Sequence, residues 1–111
     1  MKKFLVLYRM DMAAMRQMME TTSEEDKKKG MEEWGMWMKK HRADFADMGG
    51  PTGKNTQVTK EGSSEMSNDI GGYSVLQAES KEAAAALLAD NPHFSMPSAT
   101  VELMEIVPMG T

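Results

Sequence analysis

Hydrophobic and polar positions alternate near the start of the chain. Phe4, Val6 and Tyr8 point to one side of an extended segment, whereas Leu5 and Leu7 point to the other side. Apolar side chains on both sides predict a central β-strand over residues 3–9 with both of its faces covered. Because one layer of helices covers only one face of a sheet, this strand requires a second layer.

Two helical segments are predicted after the first strand. Residues 12–20 are rich in Met and Ala and indicate a short helix. A long helix is predicted from about residue 24 to residue 48, with Thr22 and Glu25 as its capping box. Its apolar stripe contains Met31, Trp34, Met38, Phe45 and Met48, with Trp37 at the edge. The sequence Gly49-Gly50-Pro51 is expected to end this helix.

The second half of the chain predicts shorter elements. A weak, polar edge strand is expected at residues 56–60, and residues 61–69 resemble a turn. Ser80 is expected to cap a second main helix that Asn91-Pro92 ends. The remaining predicted elements are a strand at 73–78, that helix at 81–89 and a last strand at 100–107.

The order strand, helix, strand, strand, helix, strand predicts a ferredoxin-like α+β fold. Right-handed connections place both main helices on one face of a four-stranded antiparallel sheet. The other face would be bare, although the first and last strands are apolar on both sides. A second copy of the chain is the simplest cover, so we expect a homodimer in the form of a dimeric α/β barrel.

Composition limits the classes of protein that fit. The 111 residues predict one domain, and the absence of cysteine excludes disulfides and thiolate chemistry. A net charge of −4 without a basic stripe argues against nucleic acid as a partner. The longest apolar run is too short to cross a membrane, so we expect a cytoplasmic protein with no membrane contact. Fourteen methionines are unusual, and Met taking the place of Leu in the core is the simplest interpretation.

The order and spacing of several segments resemble the YCII-related family of small dimeric α/β-barrel proteins, near its DGPF-like members. The first half of the resemblance rests on residues 3–8, the Trp34-Gly35-Met36-Trp37 segment and Gly49-Gly50-Pro51. The second half rests on residues 70–80, Asn91-Pro92-His93-Phe94 and the ending Val107-Pro108-Met109. The resemblance implies a ferredoxin-like homodimer, and some members resemble lactone-processing enzymes that use a His–Asp pair.

The chain departs from the family pattern at two places that matter for chemistry. Aligning back from Gly50-Pro51 places the family histidine near Glu33 or Trp34, so that histidine is missing. Asn68-Asp69-Ile70-Gly71 stands near the position of the DGPF sequence. Any catalytic group must therefore come from other residues of this chain.

His41 and His93 are the candidate catalytic residues. On the predicted helix, His41 lies inside the apolar stripe, where a neutral imidazole could act as a general acid or base. His93 follows Pro92 on a loop after the second main helix, and loops held by a scaffold often carry site residues. For both residues the alternative is a structural histidine, buried or capping a loop.

Four residues are candidates for ligand binding. Trp34 and Trp37 are neighbours on one helical face and could form the wall of a pocket, although such pairs usually belong to a core or a dimer contact. Tyr73 and Arg9 could provide polar contacts to a ligand. Arg9 is also a plausible partner in the sheet for Glu102 or Glu105 of the last strand, at least one of which is expected to need a partner. No metal-ligand spacing or nucleotide-binding motif is present, so no metal or cofactor is expected.

Three functional hypotheses stay open. The leading one is a small-molecule site between the long helix and the sheet, in a cofactor-free enzyme that uses His41 as a proton carrier. The first alternative is a non-catalytic binding or regulatory dimer, and the second is a cofactor-free monooxygenase-like barrel. A fold alone does not decide among them.

Overall fold

The computed structural model describes residues 1–96 and 98–109, and its main sheet has four antiparallel strands. These strands are β1 (Lys2–Arg9), β2 (Phe45–Pro51), β5 (Ile70–Ala78) and β6 (Thr100–Glu105). Their order across the sheet is β2-β5-β1-β6. Two further strands, β3 (Asn55–Thr59) and β4 (Gly62–Met66), pair only with each other. The ferredoxin-like α+β fold expected from the sequence is therefore confirmed.

The helices are α1 (Met12–Thr21), α2 (Glu24–Lys40) and α3 (Lys81–Leu88). Trp37 of α2 and Ala84 and Leu88 of α3 belong to one buried core. Because that core also contains the β1 and β5 side chains that point to the same side, α2 and α3 lie on one face of the sheet. Ser80 caps α3 as expected, accepting a hydrogen bond from the backbone N–H of Ala83 at 3.1 Å.

The central strand β1 has two different faces. Phe4, Val6 and Tyr8 are buried beneath the helices, with 2%, 0% and 7% of their surfaces exposed. Leu5 and Leu7 point to the opposite side and are only half-buried. The predicted alternation is confirmed, and the face that carries Leu5 and Leu7, here called the open face, has no helix over it within the described residues.

The long helix ends earlier than the sequence predicts. The predicted helix over residues 24–48 stops at Lys40, and His41 leaves the helical conformation at φ −104° and ψ 12°. The prediction for residues 41–48 was wrong, because Phe45 pairs with Leu76 in the sheet and is buried there. An apolar spacing of three residues, here Phe45 and Met48, fits a bulged strand as well as a helix, so periodicity alone misassigned this segment.

The glycines at the end of the predicted helix lie inside β2 instead. Register shifts between Phe45 and Asp47 and between Asp47 and Gly50 mark β2 as a bulged edge strand. Gly49 has φ +65°, and a Cβ atom there would lie 1.9 Å from the carbonyl oxygen of Tyr73. Glycine is required at this position by both the backbone conformation and the close approach of β5.

The polar segment after β2 forms a hairpin rather than the edge of the main sheet. Thr56–Lys60 was predicted as an edge strand, and most of it belongs to β3. The turn predicted over residues 61–69 is wrong in part, because Gly62–Met66 form the strand β4. Side chains of this hairpin are almost all exposed, since none of its faces carries the apolar residues that packing on a core requires.

The N-terminal cap of α2 also differs from the prediction. Ser23, rather than Thr22, caps the helix by accepting a hydrogen bond from the backbone N–H of Asp26 at 3.1 Å. Thr22 instead ends α1, where its backbone N–H donates to the Met18 carbonyl at 2.9 Å. Because only Thr22 and Ser23 separate the two helices, the capping position was ambiguous by one residue.

The molecule is a thin slab. Its principal extents are 51, 43 and 19 Å, and its radius of gyration is 15.8 Å. A compact domain of this length has a radius of gyration of about 13 Å. One sheet and one helical layer account for the small thickness. Within the described residues, none of the helices is long and apolar enough to cross a membrane.

Candidate functional site

The structure divides the predicted site residues into three groups. Trp34, Trp37 and His41 lie along α2 and at its C-terminal end. His93 lies in a 3-10 turn (Pro92–Ser95) beside the end of β1. Arg9 and Tyr73 lie on the open face, so the sheet separates them from the tryptophans. The sequence prediction placed His41 and the two tryptophans around one pocket with Tyr73 or Arg9 as a polar contact, and the structure does not bring these groups together.

His41 lies between two carboxylates at the end of α2. Its Nδ1 atom is 3.4 Å from Oδ2 of Asp44, and its Nε2 atom is 3.8 Å from Oδ1 of Asp90. The imidazole side chain is 13% exposed, and Nε2 is buried with no hydrogen-bond partner among the described residues. The Trp37 ring packs against it with ring centroids 4.7 Å apart. A buried ring nitrogen that faces a carboxylate without a formed hydrogen bond is a candidate for proton transfer.

Asp90 connects this histidine to its neighbours. Its Oδ1 atom accepts a hydrogen bond from the indole Nε1 of Trp37 at 2.9 Å, and its Oδ2 atom lies 3.5 Å from Nζ of Lys40. The hydrogen bond from Trp37 and the charge of Lys40 hold the pKa of Asp90 below its ordinary value, although partial desolvation opposes them. Asp90 therefore keeps its negative charge. His41, Asp44 and Asp90, with Trp37 and Lys40, are here called the His41 cluster.

The two tryptophans are part of the core. Trp34 makes an edge contact with Tyr8, with ring centroids 5.4 Å apart, and Trp37 makes one with Phe45 at 5.6 Å. The two indole rings lie 6.1 Å from each other. Two surface cavities lie elsewhere. One of about 140 Å³ is lined by Ala85, Leu88, Ala89, Phe94, Val101 and Leu103. The other lies beside residues 1–3 and Glu105. The predicted pocket between the long helix and the sheet is thus filled by side chains.

His93 belongs to a buried polar group under the helices. It is 1% exposed, and its Nε2 atom lies 2.9 Å from the carbonyl oxygen of Arg9 and 3.0 Å from that of Thr100. Since both partners are acceptors, Nε2 carries a proton and donates to them. The two hydrogen bonds made by this N–H group connect the end of β1 to the start of β6. This arrangement favours a structural role for His93.

Tyr8 completes the buried polar group. Its hydroxyl is 3.0 Å from Oγ of Ser74, a residue with no exposed surface. Burial raises the pKa of Tyr8, while the hydroxyl of Ser74 and the amide of Asn91 oppose that rise. Oδ1 of Asn91 accepts from the backbone N–H of His93 at 2.8 Å. These contacts fix the 3-10 turn against the sheet.

Arg9 forms an ion-pair cluster on the open face. Its Nη1 atom lies 2.8 Å from Oε1 of Glu102, and its Nη2 atom lies 3.0 Å from Oδ2 of Asp69. Hydrogen bonding and charge from Asp69, with a smaller effect of Glu102, raise the pKa of Arg9, and Arg9 lowers the pKa of Asp69. The expected contact between Arg9 and Glu102 is confirmed. Because both carboxylates already occupy the guanidinium, a ligand would have to displace one of them.

Sequence reasoning missed Asp44, Asp90, Ser74 and Asn91. Asp90 follows α3 and lies beside His41 only because the two helices end at the same side of the sheet. Asp44 lies three residues after His41, which is a local signal that the misassigned helix obscured. Ser74 occupies a core-facing position of a strand, where a polar residue indicates a buried partner.

The order of the elements and the strand arrangement define a ferredoxin-like α+β domain. No family model matches the chain, and no curated protein matches its sequence. Among solved structures, the chain is similar to 5-chloro-2-hydroxyhydroquinone dehydrochlorinase (TftG) from Burkholderia phenoliruptrix AC1100, in complex with 2,5-dihydroxybenzoquinone. The identity is 15%, the alignment covers 90% of each chain, and the TM-score is 0.52. At this identity the two proteins share the fold, and the neighbour is an enzyme that acts on a small molecule.

Proposed function

We propose that this protein binds a small, partly apolar metabolite and transfers a proton on it without a cofactor, using His41. The observation that carries the proposal is the position of the His41 ring between Asp44 and Asp90, with a buried Nε2 atom that lacks a hydrogen bond. The fold shared with an enzyme that acts on a small molecule supports the same class of function.

The His41 cluster offers each group that proton transfer needs. Asp44 holds the Nδ1 side of the ring and orients it, as a carboxylate does for a general-base histidine. Asp90 covers the Nε2 side but is itself 57% exposed, so a ligand that displaces its carboxylate would reach Nε2. The ammonium group of Lys40, 67% exposed, can then bind the negative charge that develops on the ligand.

A non-catalytic binding dimer is the second candidate, and one observation favours it. Trp34 and Trp37 pack tightly against Tyr8 and Phe45, which leaves no room for a metabolite between α2 and the sheet. If these aromatic residues only pack the core, the protein could still bind a ligand at its surface without catalysing a reaction.

Two measurements separate these candidates. Thermal unfolding is followed with a panel of hydroxylated rings, quinones and small lactones, beginning with 2,5-dihydroxybenzoquinone, because a bound ligand raises the melting temperature. Any ligand that binds is then incubated in D₂O, and its C–H exchange and conversion are followed by NMR at several pH values.

The expected result is turnover that falls by about 100-fold or more in His41→Gln, while the ligand-induced rise in melting temperature is kept. Glu61→Gln, an exposed carboxylate in the hairpin turn, is the control and should match the wild type. Binding without turnover in the wild-type protein would favour the non-catalytic candidate. Turnover that survives in His41→Gln would reject the assigned proton carrier.

The open face supports the expected homodimer as a further part of the proposal. Leu5, Leu7, Tyr73, Val75 and Met104 alternate onto this face on three adjacent strands. Tyr73 and Met104 are each 37% exposed. Packing two such sheets face to face buries these residues in the manner of an aligned β-sandwich. Two of these thin molecules, packed in this way, would form the expected dimeric α/β barrel.

A further inference from the structure

The short helix α1 carries an unusual concentration of methionine. Four of the chain's fourteen methionines lie in its ten residues, at positions 12, 15, 18 and 19. At about 100° per residue, these four side chains fall within an arc of about 120° on one side of the helix. Arg16 and Glu20 lie on the adjacent side. The result is an amphipathic helix whose apolar stripe consists of thioethers.

These methionines are not used as core residues. No residue of α1 is buried, and Met19 is 44% exposed. In contrast, Met10 is 7% exposed, and Met38 and Met48 pack against the core. Methionine in place of leucine therefore explains those three residues, but it does not explain the stripe on α1.

We propose that Met12, Met15 and Met19 form a binding site for a soft monovalent cation, Cu(I) or its analogue Ag(I). Residues three and four apart on a helix have Cβ atoms about 5–6 Å apart. An unbranched thioether with three rotatable bonds can turn its sulfur toward a common point from such positions. Thioether ligands select Cu(I) over harder divalent ions.

The proposed site contains none of the side chains that most often bind metals in proteins. The sequence has no cysteine, and the described residues contain no group of three or more His, Asp or Glu side chains that could hold an ion. Asp11 and Glu20 each lie one residue from the stripe in sequence, and Asp11 is occupied in capping α1 through the backbone N–H groups of Ala13 and Ala14. The ligands proposed here are the thioethers, which are neutral and carry no proton.

Because the proposed ligands are neutral, the affinity of this site for the cation should respond to pH differently from the affinity of thiolate or imidazole sites. Thiolate and imidazole sites lose affinity as the pH falls because protons compete for the ligand atoms. A thioether does not titrate, so the affinity of the α1 site should be the same at pH 5 and pH 8. Binding through His41 or His93 would instead weaken at pH 5.

The test is a titration of the full chain with silver nitrate in chloride-free buffer, with the methionine methyl groups labelled with ¹³C. We expect one Ag(I) per chain and shifts of the Met12, Met15 and Met19 methyl signals. The Met31 and Met36 signals on α2 should not move, although those residues are 75% and 72% exposed. Cu(I) kept reduced with ascorbate should compete with Ag(I) for the same site.

Leucine variants supply the controls, because exchanging Met and Leu conserves volume and costs little stability. The variant Met12→Leu/Met15→Leu/Met19→Leu should bind Ag(I) at least about 100-fold more weakly, since losing even a residue that only supports a ligand costs about 10- to 100-fold. Met31→Leu/Met36→Leu should bind like the wild type. An unchanged affinity in the triple variant, or an affinity that collapses at pH 5, would overturn the proposal.

Discussion

Individual polar atoms connect separate elements of this protein at Tyr8 and at Arg9. The hydroxyl of Tyr8 meets Ser74 beneath the helices, and the carbonyl of Arg9 accepts from the buried ring of His93. Neither contact lies at an exposed surface, where water could replace a lost partner. Removing one partner therefore leaves the other partner buried and unpaired.

The variant Tyr8→Phe tests how much stability is lost when one buried hydrogen-bonding atom is removed. Deleting the hydroxyl leaves Oγ of Ser74 without its partner in a fully buried position, so we expect a loss of about 1–3 kcal/mol of unfolding free energy. Ser64→Ala is the control, because it removes a hydroxyl from an exposed position in the hairpin, and it should change stability by less than about 0.5 kcal/mol. Urea denaturation at one fixed protein concentration measures both variants. Equal effects of the two changes would contradict the assigned contact.

Gly49 offers a second pair of matched variants. Gly49→Ala places a Cβ atom 1.9 Å from the Tyr73 carbonyl oxygen at φ +65°, so it should lower stability by about 1–3 kcal/mol or prevent folding. Gly50→Ala meets no atom within 4 Å and should be tolerated. Circular dichroism and urea denaturation distinguish the two. A tolerated Gly49→Ala would mean that the bulge of β2 is placed incorrectly.

Asp69 predicts a dependence of stability on pH. Arg9 lowers the pKa of Asp69 from its ordinary value of 3.8 in the folded state. The ion pair therefore stabilises the fold above that value, and the stabilisation is lost as the pH falls through the depressed folded pKa. Asp69→Asn should be less stable than the wild type at pH 7, and the difference should disappear as the pH falls through the depressed pKa of Asp69. Denaturation curves at pH 7 and at a series of lower pH values check the sign, with Glu61→Gln as the control for a lost surface charge.

Among the helices and strands, the sequence correctly predicts the features that depend on neighbouring residues in the chain. The alternation in β1, the Ser80 cap of α3 and the stop at Asn91-Pro92 depend on nearby residues, and the structure confirms them. The change from helix to strand after Lys40 depends on pairing between Phe45 and Leu76, which local spacing does not contain. Of the His41 cluster, the sequence predicted only His41 and Trp37 as site residues, because Asp90 approaches them from a distant helix end.

The proposed dimer depends on the open face of the sheet. Leu7 lies near its centre, between Tyr73 on β5 and Glu102 on β6. A sheet whose second side carries several leucine, valine and methionine side chains gains stability by pairing with another such sheet. The dimer is thus expected to depend on this face and to be independent of the hairpin β3–β4.

Leu7→Glu tests the expected dimer. The wild-type protein should have twice the chain mass of 12.3 kDa in light scattering at micromolar concentration. A carboxylate at position 7 would be buried without a partner in the dimer, so the variant should be monomeric. Val58→Glu, at a position in the hairpin that is 76% exposed, should remain dimeric. A monomeric wild-type protein would contradict the proposed dimer. A dimeric Leu7→Glu variant would mean that the dimer interface lies on another surface.

The pairing of β1 also has a consequence for protein synthesis. Phe4 pairs with Leu76 on one side and with Glu105 on the other, so the central strand is synthesised before both of its partners. At a ribosomal rate of about 5–20 residues per second, roughly 5 to 20 s pass before both partners have emerged. During that interval the apolar segment Phe4–Tyr8 has no native neighbour and is exposed to other nascent chains. The demand of this chain on chaperones is therefore set by the distance along the sequence between its first strand and that strand's partners.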